Sequence, residues 1–259
     1  MAVLVPVGCA LLGLVVGSFL NVVAWRLPRG ESLLRPGSHC PACDAPVRPR
    51  DNVPVLSWLV LRGRCRDCGA PIRRRYPAVE LLTAVVFAAV AVKLGTDAAL
   101  PAFLFLAGVG IALALIDLDV HRLPDALTLP SYAVGVLLLG AAAFFQGSAT
   151  PLLRGLLGMA ALFALYFLLA LAYPAGMGFG DVKLAGVLGL YLGWLGWGPW
   201  AVGAFAAFLL GGLTGIALMA GGRAGRKSAI PFGPFMLAGA LLGVLAGAPL
   251  ATAYAGTVG

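Results

Sequence analysis

Long uncharged apolar runs, broken by short polar joints, organise this 259-residue chain. No charged side chain occurs between Asp125 and Arg154, between Arg154 and Asp181, between Lys183 and Arg223, or after Lys227. Each gap holds at least one apolar helix of about 20 residues, the length that crosses a bilayer's hydrocarbon core. The pattern predicts eight spans, at 3–25, 78–94, 99–117, 127–146, 153–173, 181–196, 199–220 and 231–250. The sixth is short and leans on the turn from Gly193 to Trp200, whose tryptophans suit a membrane interface. The first carries neither a basic leading region nor a small-residue cut site before Arg26, so it reads as a retained anchor and not a signal peptide.

Composition points the same way. The chain is 61% hydrophobic and only 11% charged, where a soluble domain would expose far more charge. The expected fold class is an all-α polytopic membrane protein. Its expected domains are a first transmembrane helix (1–25), a soluble insertion (26–77) and a membrane-embedded core (78–259). Sixteen of the 18 basic residues fall on one side of this topology, including Arg223, Arg226 and Lys227 after the seventh span. Lys93 and Arg154 fall on the other. The positive-inside rule then places 26–77 in the cytoplasm and both termini outside. The net charge of +8 is thus mainly topology, with no need of a nucleic-acid partner.

The insertion is rich in Pro, Arg and Gly, and about 50 residues make a marginal core without a staple. Cys40-Pro-Ala-Cys43 and Cys65-Arg-Asp-Cys68 offer one, because two such knuckles present four thiolates to a structural Zn²⁺. Their 21-residue spacer is slightly longer than usual, and the chain between them is free to loop. A reducing cytosol disfavours the disulfide alternative. His39 is an alternative ligand beside Cys40, and Cys9 reads as a small apolar residue of the first span.

Two acids carry the candidate chemistry. Asp117 ends the third apolar run and Asp181 opens the sixth, directly after Gly178-Phe179-Gly180. An acid at a span costs free energy, so a functional role is the default reading. Asp119 reads as a supporting group, and Asp125, after Pro124, as the N-cap of span four. Asp181 has its own structural reading as an N-cap. Gly186, Gly189 and Gly193 give the sixth helix a small-residue face, expected to pack on span three and bring the two acids together. Two carboxylates sharing one proton can activate water against a peptide carbonyl. No metalloprotease H-E-x-x-H motif competes. A proton-coupled transporter would instead place its acids near mid-membrane within internal repeats, which the sequence does not display. A non-catalytic scaffold leaves both acids unexplained.

Several motifs together resemble the bacterial type IV prepilin peptidases, which are intramembrane aspartyl proteases of Gly-x-Gly-Asp type. They are the stretch from Gly17 to Pro28, the paired knuckles, Tyr76-Pro77-Ala78-Val79-Glu80-Leu81, Ile116-Asp117-Leu118-Asp119 with Leu123-Pro124-Asp125, and Gly178-Phe179-Gly180-Asp181-Val182-Lys183-Leu184. The resemblance runs from residue 17 to about 190. It implies an inner-membrane enzyme that removes a basic leader from prepilins and pseudopilins. The enzyme then methylates the new amino terminus with S-adenosylmethionine; a peptidase without the transferase is the variant reading. It implies Asp117 and Asp181 as the catalytic pair and Cys40, Cys43, Cys65 and Cys68 as the zinc ligands. Gly178, Gly180, Asp119, Asp125 and Lys183 are expected to support the site. Glu31, Asp119 and Asp125 are expected to attract the leader, and Lys183 to pair with a pilin acid or anchor the topology. No strand-linked Gly-rich fingerprint marks a methyl-donor pocket.

Overall fold

The computed structural model describes residues 3–174, 176–223, 225 and 230–258, so Arg226 and Lys227, counted in the orientation above, lie outside the described residues. Among the described residues every named element is helical. The chain divides into two units, Met1–Thr96 and Asp97–Gly259.

The first unit is a helical hairpin with a loop-rich insertion. Helices α1 (Leu4–Arg26) and α3 (Arg75–Leu94) pack together because Gly13 and Gly17, one turn apart, clear α1 of side chains. A Cβ at either would lie 2.7 Å from a backbone Cα of α3, that of Ala84 or Glu80. Such small-residue faces replace the hydrophobic drive that lipid does not supply. Asn21 secures the seam, its side-chain amide donating to the carbonyls of Gly17 and Tyr76 at 3.2 Å each.

Between these helices runs the insertion, with two single turns of 3-10 helix (Leu27–Arg29 and Pro49–Asp51) and one short α-helix, α2 (Leu56–Val60). It is tied to α3 at an unusual turn. Val55 has φ 60° and ψ −50°, and the Leu56 amide donates to the Pro54 carbonyl at 2.6 Å, a γ-turn of the rare, strained kind. The Val55 amide donates to Glu80 Oε2 at 2.7 Å, and Glu80 is only 8% exposed. Trp58 Nε1 donates to the Ile72 carbonyl at 3.2 Å and closes the loop.

The second unit alternates six helices: α4 (Leu100–Val120), α5 (Asp125–Gln146), α6 (Thr150–Ala172), α7 (Phe179–Leu195), α8 (Trp197–Ala220) and α9 (Gly233–Val258). Among the described residues, seven helices are long and apolar enough to cross a membrane. The remaining predicted span, α7, has 17 residues and is about 26 Å long, below the typical 30 Å of hydrocarbon. Twelve of those residues are buried, and α5, α6, α8 and α9 all pack on it. Its apolar character thus serves helix packing on every side.

The α7 glycines face a different neighbour from the one expected. Gly189 and Gly193 meet α6 at Gly155, Gly158 and the Arg154 carbonyl, and Gly186 meets the Tyr132 hydroxyl of α5. Neither face is turned to α4. Periodicity reveals that a face is small, but not which helix has a matching groove. At the far end of α7, Arg154 donates to the carbonyls of Gly193 (2.7 Å) and Trp194 (2.5 Å). A cation there satisfies carbonyls that lack helical partners and complements the negative end of the dipole.

Candidate functional site

The site is built where three helix ends meet. α4 stops because His121 turns left-handed (φ 53°), its amide bonding back to the Asp117 carbonyl at 2.9 Å. Asp117 therefore sits in the last turn of α4, 5% exposed. Its Oδ2 accepts the amide of Gly233, the first residue of α9, at 3.1 Å. A Cβ at Gly233 would lie 2.8 Å from that oxygen, so any larger residue there would push the Asp117 carboxylate out of this position.

Asp181 stands in the first turn of α7. It is not the N-cap; Gly178 is, and the Gly178 amide donates to Asp181 Oδ2 at 3.2 Å. Each acid thus accepts one main-chain N–H at the start of a helix. Their charges lie within electrostatic reach of one another. Leu123 packs against Gly180, next to Asp181, and against Gly233, the Asp117 donor: a Cβ at either glycine would come 3.2 Å from its side chain. The α7 glycine seam does not bring the acids together by touching α4. It sets α7 on α6, and the α4–α5 joint and the start of α9 complete the approach.

The supporting residues divide. Asp125 is the first residue of α5, with Pro124 at the N-cap position and no side-chain cap bond. Its carboxylate pairs instead with Lys183 Nζ of α7. A neighbouring helix offers a full cation, which outcompetes the weak local cap. Lys183 thus has an acid partner within its own chain, and it also lies 5.3 Å from the Phe179 ring centroid. Asp119 and Glu31 are exposed. Two residues not singled out from the sequence also border the acids. Gly233 gave no signal, because its contribution is a backbone amide. Tyr166 of α6 is 1% exposed, within reach of the Asp181 charge, and packed at a tilt against Phe208 and Phe232 (centroids 5.3 and 6.3 Å). An apolar helix hides a tyrosine easily among its phenylalanines.

In the first unit the four knuckle cysteines converge, with ligand atoms all within 4.8 Å of one another. The Cys40 and Cys68 sulfurs are 3.8 Å apart. Four sulfurs at Zn–S distances of about 2.3 Å would sit about 3.8 Å apart along a tetrahedron's edges, so the donor set fits a zinc ion. The backbone repeats itself around the cluster. The amides of Cys40 and Cys65 donate to Ala45 and Ala70, and Asp44 and Gly69 turn left-handed (φ 54° and 73°) to bond back to Cys40 and Cys65. The sequence holds the same repeat as Cys-x-x-Cys-x-Ala-Pro at 40–46 and 65–71, a signal that spacing alone did not draw out. His39 points elsewhere, its Nδ1 being 3.1 Å from the Gly37 carbonyl.

Charge in the cluster argues for a cation. The Cys68 and Asp67 amides draw the Cys65 thiol down to about 7. The Ala45 amide pulls on Cys43 too, but the neighbouring sulfurs of Cys68, Cys40 and Cys65 and burial push it up to about 12. Four crowded thiols cannot all ionise without a positive ion among them. Around them, Arg66 forks onto Asp51 (2.5–3.0 Å) and holds that carboxyl below its ordinary range, and Arg48 meets Asp67 at 2.9 Å.

Comparison with known proteins agrees with these features. Residues 11–94 match the model of the bacterial peptidase A24 N-terminal domain, and residues 104–218 that of the type IV leader peptidase family. The chain is 39% identical to a prepilin leader peptidase/N-methyltransferase of Aeromonas hydrophila, over 87% of this chain and 85% of that one. It is 33% identical to the protein of that name from Pseudomonas aeruginosa, over 94% and 91% of the two chains. No solved structure matches. With its membrane helices, its paired knuckles and relatives alike over most of their length, this chain is a multi-pass membrane protein that belongs to the type IV leader peptidase family.

Proposed function

We propose that this protein cleaves the leader from type IV prepilins and pseudopilins, with Asp117 and Asp181 as the catalytic pair, and then methylates the new amino terminus. The single observation that carries the peptidase half is that two acids from different helices, at the ends of α4 and α7, lie within electrostatic reach of one another, with Leu123 against the glycine next to Asp181 and the glycine that donates to Asp117. Carboxylates so placed share a proton, because adjacent like charges repel. The ionised acid takes a proton from water, whose oxygen bonds to the scissile carbonyl carbon. The protonated acid gives its proton to the carbonyl oxygen. Collapse of the tetrahedral gem-diol breaks the C–N bond as the leaving amine takes up a proton from the pair and one hydroxyl returns its proton to the pair, leaving a carboxylic acid and the shared proton restored. The Gly233 and Gly178 amides hold the two carboxyl groups in place throughout.

The methyl donor implied by the relatives' names is S-adenosylmethionine. When bound, it supplies a sulfonium methyl that the freed amine attacks. The four cysteines are assigned to a structural zinc, held as thiolates within an insertion of few apolar contacts. The basic residues flanking the spans support an inner-membrane orientation with residues 26–77 in the cytoplasm and both termini outside. There a prepilin's basic leader and apolar helix would hold its cut site at the lipid interface.

The test is Asp117→Ala and Asp181→Ala, each co-expressed with a type IV prepilin. Unprocessed substrate is expected in both, with the enzyme still inserted. Processing by either variant would remove the pair. Mass spectrometry of the mature amino terminus reads the methyl group separately; an unmethylated pilin would leave a peptidase alone.

A further inference from the structure

We propose that the Asp125–Lys183 ion pair is a positioning clamp that fixes the rotation of α7, and with it the aim of the Asp181 carboxyl group. The proposal rests on the reading of Asp181 as catalytic. Lys183 follows Asp181 by two residues, so on a helix of 3.6 residues per turn the two side chains leave α7 on roughly opposite sides. Whatever holds Lys183 therefore sets where Asp181 points.

Lys183 is held twice by one stripe of α5. Its Nζ pairs with the Asp125 carboxylate. Its backbone carbonyl accepts the Tyr132 hydroxyl at 2.6 Å. Asp125 and Tyr132 are seven residues apart, two turns along the same face. Gly186 makes the second hold possible, since the Tyr132 hydroxyl occupies the place of its missing side chain. The Lys183 side chain is only 17% exposed, so it is turned into the protein and not spread into solvent. A lysine kept only for topology would reach outward to the interface.

The clamp also joins the two acids' supports. Asp125 opens α5 directly after Pro124 and Leu123, and Leu123 packs against the backbone beside Asp181 and beside Asp117's amide donor. The α4–α5 joint thereby sets one side of the site, and the ion pair fastens α7 to that joint.

The experiment measures cleavage of a full-length type IV prepilin by the full-length enzyme in proteoliposomes. Asp125→Asn and Lys183→Met are each expected to lower kcat about ten-fold or more with KM within about two-fold, as expected of misplaced catalytic groups. The reversed pair, Asp125→Lys with Lys183→Asp, is expected to recover kcat to within about three-fold of the original. Asp181→Asn runs alongside. If it still cleaves, the catalytic reading fails. If it is inactive and the reversed pair is no better than the worse single variant, the clamp fails. A raised KM with kcat unchanged would overturn the clamp in favour of substrate contact. Should the reversed pair not insert, Lys183→Arg decides: kcat within about three-fold supports the clamp, and a loss equal to that of Lys183→Met refutes it.

Discussion

Replacing Gly158 with alanine tests the packing that seats α7. A Cβ there would lie 2.6 Å from the Gly189 carbonyl oxygen and 3.0 Å from the Gly193 Cα. Both are backbone atoms and cannot rotate away, so α6 and α7 must separate by about 0.8 Å to restore an ordinary contact of 3.4 Å. Overpacking of this kind costs about 1–3 kcal/mol, set against about 1 kcal/mol gained from alanine's better helix propensity. The same change at Gly140 provides the matched control. Its Cβ would meet only Leu152 Cδ2, at 4.0 Å. There the gain stands alone, at about 0.5–1 kcal/mol. Unfolding of the purified protein by denaturing detergent should therefore move in opposite directions for the two variants. Cleavage should fall for Gly158→Ala, because a shift approaching 1 Å carries Asp181 with it. If both variants shift stability alike, the seam does not hold α7 as described.

Other consequences follow from single groups. The Tyr191 hydroxyl is fully buried without a hydrogen-bond partner, so Tyr191→Phe should leave stability unchanged or raise it by about 1–3 kcal/mol in the same titration; a loss would reveal a partner. Glu80→Leu should cost at least about 1–3 kcal/mol by leaving the Val55 amide unpaired, and should speed proteolysis of the insertion; wild-type resistance would sink the strut. Asp44→Gly places at one knuckle the residue that Gly69 supplies at the other, so it should slow metal release to a chelator, and faster release would count against the repeat. Protons compete with a metal for thiolates, so acidification should weaken binding at the four cysteines and release a bound metal progressively. The Asp51–Arg66 fork should outlast that release. Its carboxyl is depressed, so its contribution is present above the ordinary value of about 4 and is lost only as pH falls below it. Metal retained at acid pH would contradict a thiolate site.

Much of the architecture is legible because lipid punishes charge. Seven of the eight apolar runs become helices long enough to cross a membrane, the sixth becomes the short buried α7, and Asp117 and Asp181 stand out as acids that such runs should exclude. The cysteines are legible because their spacing matches metal chemistry. What escaped the sequence depends on partners distant along the chain. Gly233 contributes an amide to Asp117 across 116 residues and has no side chain to announce it. Asp125 follows a proline like a helix cap, yet a lysine 58 residues away claims its carboxylate. Glu80 lies inside a quoted motif, but its role appears only once a strained valine in the insertion turns its amide toward it. The glycine face of α7 was visible, but the groove that receives it belongs to α6.

The central claim is that Asp117 and Asp181 work as one unit, and a double-variant cycle of cleavage rates tests it most directly. Asp117→Asn, Asp181→Asn and the combined variant would be assayed on the same prepilin at equal amounts of inserted enzyme. Groups that share one proton and one water fail together, so each single change should abolish cleavage and the combination should be no worse than either. A single variant that keeps substantial activity, or losses that multiply in the combination, would show two independent carboxylates instead of a pair.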